Sequence, residues 1–155
     1  MTLKLKDELR QRRPFASLEQ EAMLSIARTA AILEHETAEA FKAHGITPTQ
    51  FNALRILRGA EPEGLCRNEV RDRLVSRVPD ATRLLDRLGE MGLVVRAREG
   101  DDRRFVRSRI TGAGLELLAR LDGVVEALHH RQLGHLPPPR LRVLIELLAE
   151  ARDRP

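Results

Sequence analysis

Pro79-Asp80-Ala81-Thr82-Arg83-Leu84-Leu85-Asp86-Arg87-Leu88-Gly89-Glu90-Met91, followed by Gly92-Leu93-Val94 and an arginine-rich run to Thr111, decides how this chain folds. On a wheel of about 100° per residue, Ala81, Leu84, Leu85, Leu88 and Met91 fall on one side of a helix opened by Pro79. The other side carries Pro79, Thr82, Arg83, Asp86 and Glu90, with Arg87 beside it. After Gly92 the period drops to two. Val95 and Ala97 alternate with Arg96 and Arg98, and Val106, Ser108 and Ile110 alternate with Arg107 and Arg109. That period predicts a half-buried hairpin turning at Glu99-Gly100-Asp101-Asp102-Arg103-Arg104.

Upstream, Cys66 stands three residues before Glu69, where a capping Ser or Thr is expected. A short helix, Arg67–Leu74, then turns Val70 and Leu74 inward, and Ser76-Arg77-Val78 forms the turn into the next helix. Residues 65–111 hold twelve arginines against eight acidic residues, whereas 1–64 hold nine of each sign and 112–155 six of each. The whole formal charge of +4 therefore sits on this segment. A pI near 10.1 with its charge so placed points at a polyanion.

Outward from this segment the chain reads as helices. Residues 1–16 form a charged, flexible arm ending in Arg12-Arg13-Pro14-Phe15. Ser17 and Gln20 make a capping box for a long helix with Leu18, Ala22, Ile26, Ala30, Leu33, Thr37 and Phe41 on one stripe, closed by a left-handed Gly45. Thr47-Pro48-Thr49-Gln50 opens the next, with Phe51, Leu54 and Ile56 or Leu57 inward, and Gly59 to Gly64 is a loop. Thr111 caps a fifth helix with Leu118, Leu121, Val125 and Leu128 in register. Pro137-Pro138-Pro139 then starts a last one bearing Leu141, Leu144, Ile145 and Leu148.

Composition narrows the classes. A chain of 155 residues holds one domain with a real core. The lone Cys66 excludes an internal disulfide framework and fits a reducing cytosol, and neither a signal peptide nor a membrane-length apolar run is evident, so a cytoplasmic location is expected. There is no Gly-rich phosphate loop and no nucleophile elbow, and with no Trp, no Tyr and four Phe an aromatic cofactor cage is hard to build. No enzyme, cofactor or metal is expected. His129, His130 and His135 lack a carboxylate or thiol at ligand spacing and read as surface or interface histidines, and Cys66 as a cap or packing residue.

Two short helices and an arginine-flanked hairpin have the geometry of a winged helix-turn-helix and predict binding to double-stranded DNA, against the plainer reading of an ordinary amphipathic helix and a surface hairpin whose charges are solvated. The second helix would enter the major groove, so Arg77, Pro79, Asp80, Thr82 and Arg83 are candidates for base edges, with Arg87 nearer a phosphate. In the wing, Arg98, Arg103, Arg104 and Arg107 are candidates for DNA, and Asp102 is placed to stiffen the tip by pairing with Arg104. The first helix and the last two carry more apolar residues than a small wing domain covers. Leu18, Leu121, Val125, Leu128, Leu141, Leu144 and Leu148 are thus candidates for a homodimer surface, against the plainer reading that they fold back on their own chain.

Three stretches together resemble the MarR family of bacterial winged-helix transcription regulators: Ile46-Thr47-Pro48-Thr49-Gln50-Phe51 through Leu54, Thr82 to Leu88 with Gly92-Leu93-Val94, and Asp102-Arg103-Arg104 up to Ile110-Thr111 and Gly114. The resemblance spans about residues 18–150, with Ser108 and Ile110 standing where Val and Leu are usual and Pro79-Asp80 an unusual opening for the recognition helix. It implies a mainly α fold with a small β-hairpin wing, a DNA-binding lobe over about 47–111, and dimerisation helices over about 17–44 and 112–153. It also implies an obligate homodimer on a pseudo-palindromic operator, and a repressor released by a small aromatic or phenolic effector. The alternative is a winged-helix adaptor for proteins, which should carry apolar residues where this chain has Thr82, Arg83 and Asp86.

Overall fold

The computed structural model describes residues 4–98 and 106–153. It divides into two compact units, residues 1–45 and 46–155. The first holds α1 (Leu5–Glu8) and α2 (Leu18–Lys42). A single helical turn thus lies where the sequence suggested only an arm. Ser17 caps α2 by accepting the Gln20 N–H at 3.2 Å, but the Gln20 side chain reaches back to the N–H of Ala16 at 2.7 Å, one residue before the cap. Gly45 follows the helix at φ +67°, the left-handed geometry a Cβ disfavours. Much of the expected α2 stripe is uncovered: Leu18 is 81% exposed and Ile26 also lies open, while Phe41 is buried.

The second unit holds α3 (Pro48–Arg58), β1 (Leu65–Cys66), α4 (Arg67–Arg73), α5 (Ala81–Glu90), β2 (Val94–Arg98), β3 (Val106–Ile110), α6 (Gly112–Leu133) and α7 (Pro138–Arg152). Thr47 and Gln50 complete a reciprocal capping box on α3, which buries Phe51, Ala53, Leu54 and Leu57. The three strands form an antiparallel sheet in the order β1-β3-β2. β1 was not anticipated, because two residues are too few to show a period and their pairing partner lies some forty residues downstream. Gly64 makes this pairing feasible: at φ +72°, an added Cβ would sit 2.6 Å from the Ser108 carbonyl oxygen.

The hairpin has the expected period but not a common phase. Val94 pairs with Ile110, Arg96 with Ser108 and Arg98 with Val106, so these residues share one face. Val95 and Ala97 lie on the other face with Arg107 and Arg109, and Val95 is 52% exposed. On β2 only Val94 is buried, because beyond it the strand leaves the core and its inner face meets a polar helix side.

Thr111 joins three elements at the base of the wing. Its N–H donates to Leu93 O at 3.0 Å, its hydroxyl to Gly92 O at 2.7 Å, and the same hydroxyl oxygen accepts the Gly114 N–H at 3.1 Å, capping α6. α6 buries Leu117, Leu118, Leu121, Val125 and Leu128. Three residues placed on the expected dimer surface, Leu121, Val125 and Leu128, therefore pack inside the chain. A periodic stripe specifies that a face is covered and not by what. α7 has no buried residue: Leu141, Leu144 and Leu148 are half-buried, and Val143, Ile145 and Leu147 are exposed.

Candidate nucleic-acid interface

α4 and α5 form the helix-turn-helix. Val70 is fully buried on α4, and α5 buries Ala81, Leu85 and Leu88, so the two helices hold each other through their apolar sides. The N–H of Cys66 donates to Glu69 Oε2 at 2.8 Å, which reproduces the expected box at the start of α4. Glu69 is held below the ordinary glutamate pKa by that N–H, then by the Cys66 side chain and the nearby Arg107 and Arg73. Asn52 on α3 accepts the Val75 N–H at 2.9 Å and fixes the turn after α4. No local pattern announces Asn52, since its partner is 23 residues away.

α5 starts two residues later than expected. Asp80 is its N-cap, accepting the Arg83 N–H at 3.0 Å, and Pro79 lies exposed in the turn before it. The Asp80 carboxylate is thus engaged in capping, which offsets the positive end of the helix and leaves it a poor partner for a base edge. The helix closes as a Schellman motif. Gly92, at φ +72°, donates to Gly89 O at 2.9 Å, and Leu93 donates to Leu88 O at 3.0 Å while both leucines are buried.

The outer side of α5 carries a graded set of charges. At its N-terminal end the Arg83 guanidinium is exposed and has no partner among the described residues, and Arg77 is exposed in the preceding turn. Thr82 accepts a hydrogen bond from Arg67 Nη1 at 3.1 Å. Further along, Asp86 pairs with Arg96 of β2, and Arg87 pairs with Glu90 at 3.0 Å. Both carboxylates that would repel a phosphate are therefore matched by a cation. Arg87, expected near a phosphate, is engaged with Glu90, although a pair this exposed is worth about 0.3–0.5 kcal/mol and would yield readily. Arg96 was missed as a site residue; its parity with Val94, rather than with Val95, is the signal that would have found it.

The wing divides between outward and structural arginines. Arg98 is exposed at the end of β2. Arg107 is not free for DNA: it donates to Gly64 O at 3.0 Å and lies 3.9 Å from Glu69 Oε2, tying β3 to β1 and α4. Arg109 donates to Glu63 O at 3.3 Å and holds the same loop. Arg103, Arg104 and Asp102, with the expected pair across the tip, lie outside the described residues. Among the described residues no three metal-ligating side chains converge, and no helix is long and apolar enough to cross a membrane.

Two helices joined by a pinned turn, a polar second helix and an arginine-bearing hairpin at its exit define a winged helix-turn-helix protein. The model of the MarR family matches residues 44–104. A crystal structure of a MarR transcription factor from Planctomyces limnophilus is 43% identical, covers 88% of this chain and 98% of its own, and superposes with a TM-score of 0.68. The chain belongs to the MarR family of DNA-binding transcriptional regulators. Two more distant structures share the fold. A MarR variant from E. coli complexed with operator DNA is 24% identical over 89% of this chain and all of its own, with a TM-score of 0.77. Bordetella bronchiseptica BpsR, whose DNA binding is regulated by 6-hydroxynicotinic acid, is 20% identical over 92% of this chain and all of its own, with a TM-score of 0.78.

Proposed function

We propose that this protein is a sequence-specific regulator that binds a pseudo-palindromic operator as a homodimer, with α5 in the major groove and the β2–β3 hairpin against the adjacent minor groove. The observation that carries this reading is the outer side of α5. Its inner side places Ala81, Leu85 and Leu88 in the core, yet its N-terminal turn presents, beside Thr82, an Arg83 guanidinium without a partner among the described residues. Arg83 can donate two hydrogen bonds to a guanine, worth about 1–3 kcal/mol of discrimination. Arg77 and Arg98 supply sequence-independent attraction to phosphate.

Two such lobes related by a two-fold axis read half-sites about 10–10.5 bp apart. The exposed apolar residues of α2 and α7 support the dimer, with Leu18, Leu141, Leu144 and Leu148 kept as interface residues and Val143, Ile145 and Leu147 added. The operator complex of the E. coli relative supports the mode of binding. The response of BpsR to a hydroxylated aromatic acid supports a repressor released by an effector of that class.

Selection of bound sequences from a random duplex pool near physiological salt tests this. The expected result is an enriched pseudo-palindrome whose central preference is lost in Arg83→Ala, whereas Arg98→Ala weakens binding to all sequences alike. Enrichment that is unchanged in Arg83→Ala removes α5 as the reading element. No enrichment, with or without 6-hydroxynicotinic acid, leaves the adaptor reading in its place.

A further inference from the structure

The hydrogen bond between Arg67 and Thr82 has a chemical consequence for what the recognition helix can read. A threonine hydroxyl has one hydrogen to donate and two lone pairs, so it can serve either donors or acceptors on a base edge. Inside a helix that hydrogen is commonly spent on the carbonyl four residues back. Ser25 and Thr37 do this in α2, donating to Glu21 O at 2.8 Å and to Leu33 O at 2.7 Å. Thr82 cannot follow them, because it lies in the first turn of α5 and the residue four back, Val78, precedes the helix. Its oxygen instead accepts from Arg67 Nη1 at 3.1 Å, and its hydrogen has no acceptor among the described residues. Both side chains reach the outer side of the helix pair, Arg67 exposed and Thr82 half-buried. Arg67 gains nothing from the α4 dipole, since a cation in a first turn faces the positive end.

We propose that Arg67 is a positioning residue that sets the base preference of Thr82. By occupying one of the two lone pairs of the hydroxyl oxygen, it turns the Thr82 hydrogen away from the guanidinium and favours use of the side chain as a donor. The acceptors a donor can meet in the major groove are N7 and O6 of guanine, N7 of adenine and O4 of thymine, whereas cytosine offers only its amino group. The position under Thr82 in each half-site therefore disfavours cytosine. This rests on α5 entering the major groove as proposed above.

The test compares the full-length protein with Arg67→Gln, Thr82→Val and the double variant, by selection from a random duplex pool and by affinity against salt. The expected wild-type pattern is a position in each half-site where cytosine is disfavoured by about tenfold, the scale of one neutral hydrogen bond. Both single variants should relax it to about twofold, with no further change in the double variant and no loss of Tm. If Thr82→Val relaxes the preference and Arg67→Gln leaves it intact, the inference fails while the regulator reading stands. The same holds if Arg67→Gln weakens all sequences alike and lowers the salt slope by about one, which is the signature of a phosphate contact. If Thr82→Val changes nothing, Thr82 is no reader and the inference fails. If the wild-type protein enriches no sequence, it fails together with the proposed function.

Discussion

α5 and α7 are both surface helices, and they resolve their apolar residues in opposite ways. α5 places Ala81, Leu85 and Leu88 entirely inside the chain and turns Thr82, Arg83, Asp86, Arg87 and Glu90 outward. α7 buries nothing, and Val143, Ile145 and Leu147 stand exposed beside half-buried Leu141, Leu144 and Leu148. One helix is complete within a single chain and its outer face is free for a polar, charged partner. The other has apolar surface left over, which in water favours association with matching apolar surface. The difference matches the two tasks proposed for these helices, reading a nucleic acid and recruiting a second copy, which a helical wheel alone does not distinguish.

The largest effect that could break this contrast lies on α7. Replacing Val143, Ile145 and Leu147 together by glutamate should convert a dimer to a monomer in light scattering at micromolar concentration. Losing the second half-site removes the avidity of two linked lobes, so operator affinity should fall by about 10²–10⁴-fold. The same three changes should leave the fold of residues 46–110 intact by circular dichroism. A variant that remains dimeric places the interface elsewhere.

Next in size is a substitution in the self-contained region. A methyl group on Gly114 would meet Ile110 Cγ1 and the Leu93 carbonyl oxygen, each at 2.6 Å, in the packed junction of β2, β3 and α6. Gly114→Ala should destabilise the protein by about 1–3 kcal/mol, as overpacking of a tight site does. Thermal unfolding at several protein concentrations checks it, because the loss arises within one chain. Smaller again is Asp80→Ala, which removes the cap of α5 and should cost about 0.5–2 kcal/mol. Asp80→Asn, which keeps an acceptor, should recover most of it. Equal losses in the two variants would mean the Arg83 N–H does not depend on this cap.

Much of the fold is legible in the sequence itself. The capping residues Thr47 with Gln50, Ser17 and Thr111, the left-handed Gly45 and the apolar side of α5 are local signals, and each appears where its chemistry requires. What local patterns could not supply is pairing across distance. Leu65 and Cys66 become a strand only because Ser108 and Arg107 lie beside them. Arg107 looked like a DNA contact because its neighbours are arginines, yet its guanidinium is drawn to a carbonyl 43 residues earlier. Leu121, Val125 and Leu128 form a stripe as regular as a dimer seam, and only the packed chain reveals that the stripe is consumed internally. On α5 the first residue shifted because Asp80, not Pro79, begins the hydrogen-bonded turn.

The smallest effect sharpens the contrast through pH. Glu69 is ionised and held by the Cys66 N–H, and its pKa lies below the ordinary value of 4.5. A carboxyl group with a lowered pKa in the folded state stabilises that state fully above its unfolded pKa, and the contribution disappears as pH falls through the folded one. Glu69→Gln keeps a side-chain acceptor for the Cys66 N–H but removes the charge facing Arg107 and Arg73. The wild-type protein should therefore melt slightly higher than Glu69→Gln at neutral pH, and the two curves should converge as the pH drops below the ordinary glutamate range. Because this network lies within residues 64–107 of one chain, the convergence should be independent of protein concentration, whereas the stability lent by α7 should grow with it. A difference between wild type and Glu69→Gln that persists undiminished in acid would assign the loss to packing rather than to the carboxylate's charge.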